Sequence, residues 1–375
     1  MEMTKIVMVD LQSQYFRIKS EVDAAIQSVL NATNFIHGPE VKEFAGALKT
    51  YVGAEAVIPC ANGTDALQIA MMALDLKPGD EVILPVHTYV ATAEVIALLQ
   101  LKPVFVDVFE DTFNINHAQI ESRITARTKA IVPVHLYGQC AEMEPILSVA
   151  RKFNLHVIED AAQALGAAYT FSDGSVKQAG TMGVVGTTSF FPSKNLGCYG
   201  DGGAIFAGEP GMAEKLRMIA NHGQRVKYHH DIIGVNSRLD TLQAAILKVK
   251  IKYLKEYTSR RNQVADFYDQ CLSDLKQVNI PKRAINSTHV FHQYTLRVER
   301  RDELKIFLEQ RGIPTMIYYP VPLHFQKAYA QPGYVEGAFP VSEGLSRTVI
   351  SLPIHTEMNE EQLTYICSAI KEFYK

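Results

Sequence analysis

The chain has 375 residues, 47% of them hydrophobic and 21% charged, a globular balance that excludes a disordered chain and leaves ample material for a large core. At roughly 100–200 residues per domain, this length allows two or three domains, or a large one with a small one. Its 37 basic and 40 acidic residues give a net charge of −3, so no basic excess is available for a nucleic-acid partner.

From about residue 56 to 208, short apolar runs alternate with helical patterns. The runs at 56–60, 81–85, 103–108, 130–135, 155–159, 187–191 and 203–207 predict strands. Most are continuously hydrophobic, which points to strands buried on both faces of a largely parallel sheet. Helices are predicted between them at 64–74, 89–99 and 143–153, and strand-helix-strand repetition is the mark of an α/β layer fold. Beyond residue 208 the pattern changes. A helix is predicted at 212–221 and one long helix at 239–271, apolar at its start and basic later, a connecting helix with a solvated face. A smaller α+β unit follows, with strand 293–298, helix 301–310, strand 315–319 and helix 360–373. The expected division is a large domain over 1–250, including an N-terminal arm, and a small C-terminal domain over 251–375.

Several chemistries lack their signatures. There is no G-x-x-x-x-G-K-[ST], H-E-x-x-H or G-x-S-x-G. The glycine-rich stretch 197–203 is not G-x-G-x-x-G and precedes a strand, so a nicotinamide dehydrogenase is disfavoured. His222 and His229-His230 lack a carboxylate or cysteine at ligand spacing, so no metal is expected. Five scattered cysteines (Cys60, Cys140, Cys198, Cys271, Cys367) form no C-x-x-C pair, which suggests reduced thiols and a cytoplasmic protein. The first residues show no signal peptide, and the most apolar window, 90–108, is broken by Glu94, Gln100 and Lys102, so no membrane partner is expected.

Three features fall at strand ends, where open α/β sheets place their ligands. Leu155 to Gln163 runs from apolar residues into Glu159-Asp160, then small residues; on spacing alone Asp160 reads first as a helix cap. Lys194 follows a buried-looking strand amid small and apolar residues. It is either a solvated loop residue or, in a dry pocket, a nucleophilic amine able to form a Schiff base. At Ala61-Asn62-Gly63-Thr64 a strand ends and a helix opens, either an ordinary capped helix or a phosphate site. Together, an acid, a lysine and a phosphate-type helix start are what a pyridoxal-phosphate enzyme needs.

The chain resembles the DegT/DnrJ/StrS family of sugar aminotransferases. The matching stretches are Asn62-Gly63-Thr64-Asp65-Ala66-Leu67, Pro85-Val86-His87-Thr88-Tyr89-Val90-Ala91-Thr92, Val134-His135-Leu136-Tyr137-Gly138, Glu159-Asp160-Ala161-Ala162-Gln163, Ser189-Phe190-Phe191-Pro192-Ser193-Lys194, Gly200-Asp201-Gly202-Gly203, Asn236-Ser237-Arg238-Leu239-Asp240 and Tyr319-Pro320-Val321-Pro322-Leu323-His324. They occur in family order along nearly the whole chain. The resemblance implies a fold-type-I pyridoxal-phosphate transferase, with a mainly parallel seven-stranded sheet between helices and a smaller C-terminal α+β domain.

It also implies residue roles. Lys194 would carry pyridoxal 5'-phosphate as a Schiff base and move the proton in catalysis. Asp160 would pair with the pyridinium nitrogen, Gln163 would bond the phenolic oxygen, and Tyr89 would stack on the ring. Gly63, Thr64 and Ser189 would hold the phosphate, and Asn236 would reach it from a partner subunit, which implies a homodimer. A related dehydratase branch carries histidine where this chain has Lys194, so lysine favours transamination through pyridoxamine phosphate. The implied reaction moves an amino group from L-glutamate, releasing 2-oxoglutarate, to a nucleotide-linked keto-sugar.

The stretches 221–230, 243–245 and 132–140 are most similar to enzymes that aminate C3, in particular the UDP-2-acetamido-2-deoxy-ribo-hexuluronate aminotransferases of O-antigen and lipopolysaccharide pathways. The dTDP-3-keto-6-deoxyhexose and C4-aminating enzymes are alternatives, and a cofactor-binding, sugar-sensing regulator is the non-enzyme one. Arg225, Lys227, His229, Arg238, Tyr318 and His324 are candidate substrate contacts; for each, a solvated charge or a packed aromatic is the competing reading.

Overall fold

Two helices that the apolar runs do not announce open the chain in the computed structural model, which describes residues 5–375. Helix α1 (Leu11–Ala32) begins where the Asp10 carboxylate accepts the Ser13 N–H at 2.8 Å. It buries only Ile18, Val22 and Val29, a stripe too thin to stand out in the sequence. Helix α2 (Pro39–Val52) starts on a proline and buries Phe44, Leu48 and Val52 on one face.

Then come β1 (Ala56–Cys60), α3 (Gly63–Ala73), β2 (Glu81–Pro85), α4 (Ala91–Leu98), β3 (Lys102–Val106), β4 (Thr128–Ile131), α5 (Met143–Phe153) and β5 (His156–Asp160). A small hairpin of β6 (Ala168–Thr170) and β7 (Val176–Gln178) precedes β8 (Val185–Ser189) and β9 (Gly203–Ala207). Seven of these strands form one sheet in the order β1-β9-β8-β5-β4-β2-β3. It is parallel except for β9, which runs antiparallel to both β1 and β8. This is the mainly parallel, helix-covered sheet of the expected fold-type-I class. Strand β4 ends at Ile131, short of the expected 135. The chain nevertheless stays beside β5: Asp160 N–H donates to Pro133 O and His135 N–H to Asp160 O, each at 3.0 Å.

Helix α6 (Pro210–Ala220) leads to a hairpin of β10 (Gln224–Val226) and β11 (His229–His230), then α7 (Thr241–Lys250) and α8 (Leu254–Leu272). The single helix expected over 239–271 is thus two, joined by a 3-10 turn at Ile251–Tyr253. The break has a packing cause: α7 lies against α1 and α2, whereas α8 packs on the C-terminal helix.

The remainder comprises β12 (Val278–Asn279), β13 (Tyr294–Val298), α9 (Arg301–Gln310), α10 (Pro340–Thr348), β14 (Val349–Leu352) and α11 (Glu360–Phe373). Strands β12, β13 and β14 make a small antiparallel sheet with its own core, including Tyr268, Leu296, Leu304, Ile350 and Ile366. Residues 315–319, expected as a strand, make only one bridge, Met316 to Ser351. Pro320 has no N–H to extend the ladder, and Tyr318 and Tyr319 bond toward the large sheet instead. The C-terminal part also crosses back: Leu323, Tyr329 and Phe339 join the core of the large sheet around Phe105.

Candidate active site

Strand β5 ends in two consecutive carboxylates, and strand alternation sends them to opposite faces. Glu159 is fully buried and accepts from His135 Nε2 (2.8 Å) and from the N–H groups of Gly180 (2.8 Å), Met182 (2.5 Å) and Gly183 (2.5 Å). Ala141 N–H donates to His135 Nδ1 at 3.1 Å, so the ring proton lies on Nε2 and points at Glu159. That fully satisfied pair pins the strand end. Asp160, also buried, faces the other way. Its Oδ2 accepts from Thr92 Oγ1 at 2.8 Å and its Oδ1 from Ala162 N–H at 3.1 Å.

Lys194 lies on the loop after β8, the neighbour of β5 in the sheet. Its Nζ makes no hydrogen bond among the described residues. Burial pulls the amine down to about 8, against the opposing attraction of the Asp160 carboxylate. A half-buried lysine with a desolvated, unpartnered amine beside a buried carboxylate is a poised nucleophile.

The start of α3 packs against β8, beside the strand end that leads to Lys194. Asn62 caps it, its side chain accepting Asp65 N–H at 2.8 Å and its carbonyl Ala66 N–H at 3.1 Å. Among the described residues the N–H groups of Gly63 and Thr64 have no hydrogen-bond partner at the helix mouth, where an anion is favoured. The backbone passes very close to its neighbours here. A Cβ on Gly63 would meet Ser189 Cβ at 2.8 Å, and one on Gly203 would meet the Asn62 carbonyl carbon at 2.5 Å. Gly63, Thr64 and Ser189 therefore share one cradle of backbone and hydroxyl groups.

Gln163 is held at both ends: Tyr137 N–H donates to its Oε1 at 2.7 Å, and its Nε2 donates to the Tyr319 hydroxyl at 3.1 Å. Tyr89 is 56% exposed, its ring centroid 6.1 Å from that of Tyr319, so one aromatic face stands open to the cleft. Tyr318 is half-buried, and its carbonyl accepts from the Tyr137 hydroxyl. Buried His87 supports the same hydroxyl through Nε2 at 3.2 Å, and burial holds its pKa down to about 4, so it is neutral. Sequence reading missed Thr92, His87, Tyr137 and Tyr319 as site residues. All four lie in stretches that carry the family resemblance, and Tyr137 also depends on a left-handed backbone (φ 59°) that its side chain does not announce.

The candidate substrate contacts are less gathered. Arg225, Lys227 and His229 are exposed on the β10–β11 hairpin; Arg225 pairs with Glu214 (3.2 Å) and Asp231 (3.7 Å), and Lys227 lies over the Tyr228 ring. Arg238 is half-buried and makes no ion pair among the described residues. Asn236 is exposed, and the next residue, Ser237, accepts Ala61 N–H at 3.0 Å near the α3 cradle. His324 departs from the expectation of a substrate contact: it is buried, its Nε2 3.1 Å from Glu343, between the rings of Phe325 and Phe339. Among the described residues no group of three or more His, Cys, Asp or Glu could hold a metal ion, and no helix is long and apolar enough to cross a membrane.

Residues 17–371 match the DegT/DnrJ/EryC1/StrS aminotransferase family. The chain belongs to that family. It is 48% identical over 367 residues to the UDP-2-acetamido-2-deoxy-3-oxo-D-glucuronate aminotransferase of Pseudomonas aeruginosa, covering 97% of this chain and 99% of that one. It is 46% identical to a pleiotropic regulatory protein of Geobacillus stearothermophilus, covering 99% of each. The crystal structure of ntda from Bacillus subtilis, with bound cofactor PMP (pyridoxamine phosphate), superposes with a TM-score of 0.91 at 31% identity, over 99% of this chain and 86% of that one. The protein is thus a pyridoxal-phosphate-dependent sugar aminotransferase. The cleft fits that cofactor: an unpartnered amine at Lys194, a carboxylate with spare lone pairs at Asp160, an open aromatic face at Tyr89 and a helix mouth for the phosphate.

Proposed function

We propose that this chain transfers an amino group from L-glutamate to the C3 keto group of a nucleotide-linked sugar, UDP-2-acetamido-2-deoxy-3-keto-glucuronate, in surface-polysaccharide biosynthesis of the O-antigen or lipopolysaccharide kind. The observation that carries the reading is the pairing of a desolvated lysine with a buried carboxylate on adjacent strand ends. The substrate is supported by the 48% identity to the Pseudomonas aeruginosa enzyme along nearly the whole chain.

When bound, pyridoxal phosphate supplies a carbonyl that carries amino groups and a ring that draws off electrons. In this reading Lys194 Nζ holds the cofactor at rest, and, once released by the donor amine, takes and returns the proton at the reacting carbon. Asp160 keeps the ring nitrogen protonated. Gln163 orients the ring by its phenolic oxygen, and Tyr89 covers a face. Gly63, Thr64 and Ser189 hold the phosphate, joined by Asn236 of a second copy of the chain in a homodimer. Arg225, Lys227, His229, Arg238 and Tyr318 are proposed to meet the nucleotide-sugar.

Two expectations follow from the site. Because the Lys194 amine titrates near 8 rather than at the ordinary 10.5, capture of cofactor by the apo-protein accelerates as pH rises through about 8, where the unprotonated amine becomes the main form. Stopped-flow absorbance checks this; a rate still climbing steeply toward 10.5 contradicts it. Gly63→Ala forces the α3 mouth away from Ser189. Overpacking of this kind costs about 1–3 kcal/mol, so cofactor affinity falls about tenfold in a fluorescence titration. An unchanged affinity removes the phosphate role from this cradle.

Substrate choice is tested by half-reactions. L-glutamate should convert the bound cofactor to its amino form, and the 3-keto uronate should restore it, with a 3-amino product by NMR. Restoration only by a 4-keto sugar or a dTDP-linked 3-keto sugar overturns the assignment. The 46% identity to a pleiotropic regulatory protein favours a second reading, a sugar-sensing regulator. The presence of Lys194, Asp160 and Gln163 together weighs against it, and no turnover with any keto-sugar would favour it.

A further inference from the structure

Asp160 has a main chain fixed independently of its side chain: its N–H and C=O are taken by Pro133 O and His135 N–H, and the next N–H, of Ala161, goes to Thr187 O at 2.9 Å. What remains free to turn is the carboxylate. Two donors stop it, and they come from different elements. Ala162 N–H belongs to the adjacent loop and serves Oδ1; Thr92 Oγ1 belongs to the first turn of α4 and serves Oδ2.

Thr92 is 1% exposed, and among the described residues the one hydrogen bond of its hydroxyl is the 2.8 Å bond to Asp160. Thr92 is the second residue of α4, so the carbonyl four residues earlier lies outside the helix and offers its hydroxyl no helical partner. The hydroxyl crosses instead to a residue 68 positions away. Its volume alone would be met by valine. A hydroxyl at this point therefore answers to the carboxylate, not to packing. A donor to the carboxylate fixes the direction of its remaining lone pairs. Tyr89 lies three residues earlier, just before α4, so one short segment carries both that ring and the donor to the acid.

We propose that Thr92 is a positioning residue: its hydroxyl fixes the rotation of the Asp160 carboxylate, so that the free lone pairs face the cofactor's ring nitrogen. The proposal rests on the reading of Asp160 as the partner of that nitrogen. Ala162 contributes a backbone N–H that substitution cannot remove, so among the described residues Thr92 is the one side chain whose loss frees the carboxylate.

The test compares holoenzymes of wild type, Thr92→Val, Thr92→Ser and Asp160→Asn. Readouts are the cofactor dissociation constant, the pH profile of the bound cofactor's absorbance, kcat with KM for L-glutamate, and Tm. Thr92→Val should weaken cofactor binding about tenfold, the size of one hydrogen bond to a charged group. The ring-nitrogen titration should move about one unit to lower pH, because a carboxylate free to turn away supports the ring proton less well. kcat should fall with KM little changed, and Thr92→Ser should restore all three. Thr92→Ala carries the same expectation should the valine variant not fold. If Thr92→Val lowers only Tm, or if serine restores nothing, Thr92 is a packing residue and the proposal fails. If Asp160→Asn also leaves affinity and pH profile unmoved, the reading of Asp160 itself has failed.

Discussion

Lys194→Ala leaves a folded protein that has lost aminotransfer by roughly ten-thousand-fold, the upper range for removing a positioned proton-transfer group, with further loss from the missing covalent anchor. The argument is local. The amine is desolvated, makes no hydrogen bond among the described residues and interacts electrostatically with Asp160 and with buried His292, so no contact shown makes it a structural support. Removing it relieves a burial cost and should leave Tm at or above the wild-type value. The check is kcat for the L-glutamate half-reaction beside a thermal melt. A variant that keeps more than a hundredth of the wild-type rate would contradict the assignment.

Asp160→Asn should cost about a thousandfold in kcat. A carboxylate about 4 Å from a ring cation, at an effective dielectric near 20, is worth about 4 kcal/mol, which is about three decades in rate. The amide can keep both local bonds, its oxygen accepting from Ala162 N–H and its nitrogen donating to Thr92 Oγ1, so the substitution removes charge and little else. Steady-state kinetics with saturating cofactor measures the loss; a drop under tenfold would remove Asp160 from the ring-nitrogen role.

Strands β1, β2 and β9 and helices α5, α9 and α11 lie where the sequence put them, because each is a sharp apolar run or amphipathic stretch with clear punctuation. Other elements are invisible locally. Helix α1 buries three side chains of its 22, and its partner face is supplied by Ile246 and Val249 of α7, far along the chain. Residues 315–319 have strand composition, but their fate is set by Tyr137 and Gln163, which claim the Tyr318 carbonyl and the Tyr319 hydroxyl. The site divides the same way. Lys194, Asp160 and Gln163 stand out as candidates because the resemblance gives each a role. Thr92 and Tyr137 lie in matching stretches too, but their contacts with Asp160, Gln163 and Tyr318 arise only through folding. His324 shows the converse: a motif residue whose side chain the fold turns inward, onto Glu343.

The claim on which the rest depends is the attachment point of vitamin B6. Borohydride reduction of the purified holoprotein, followed by proteolysis and mass mapping, should place the reduced cofactor on the peptide bearing Lys194. Finding it on another lysine, or recovering no modified peptide, would contradict the account.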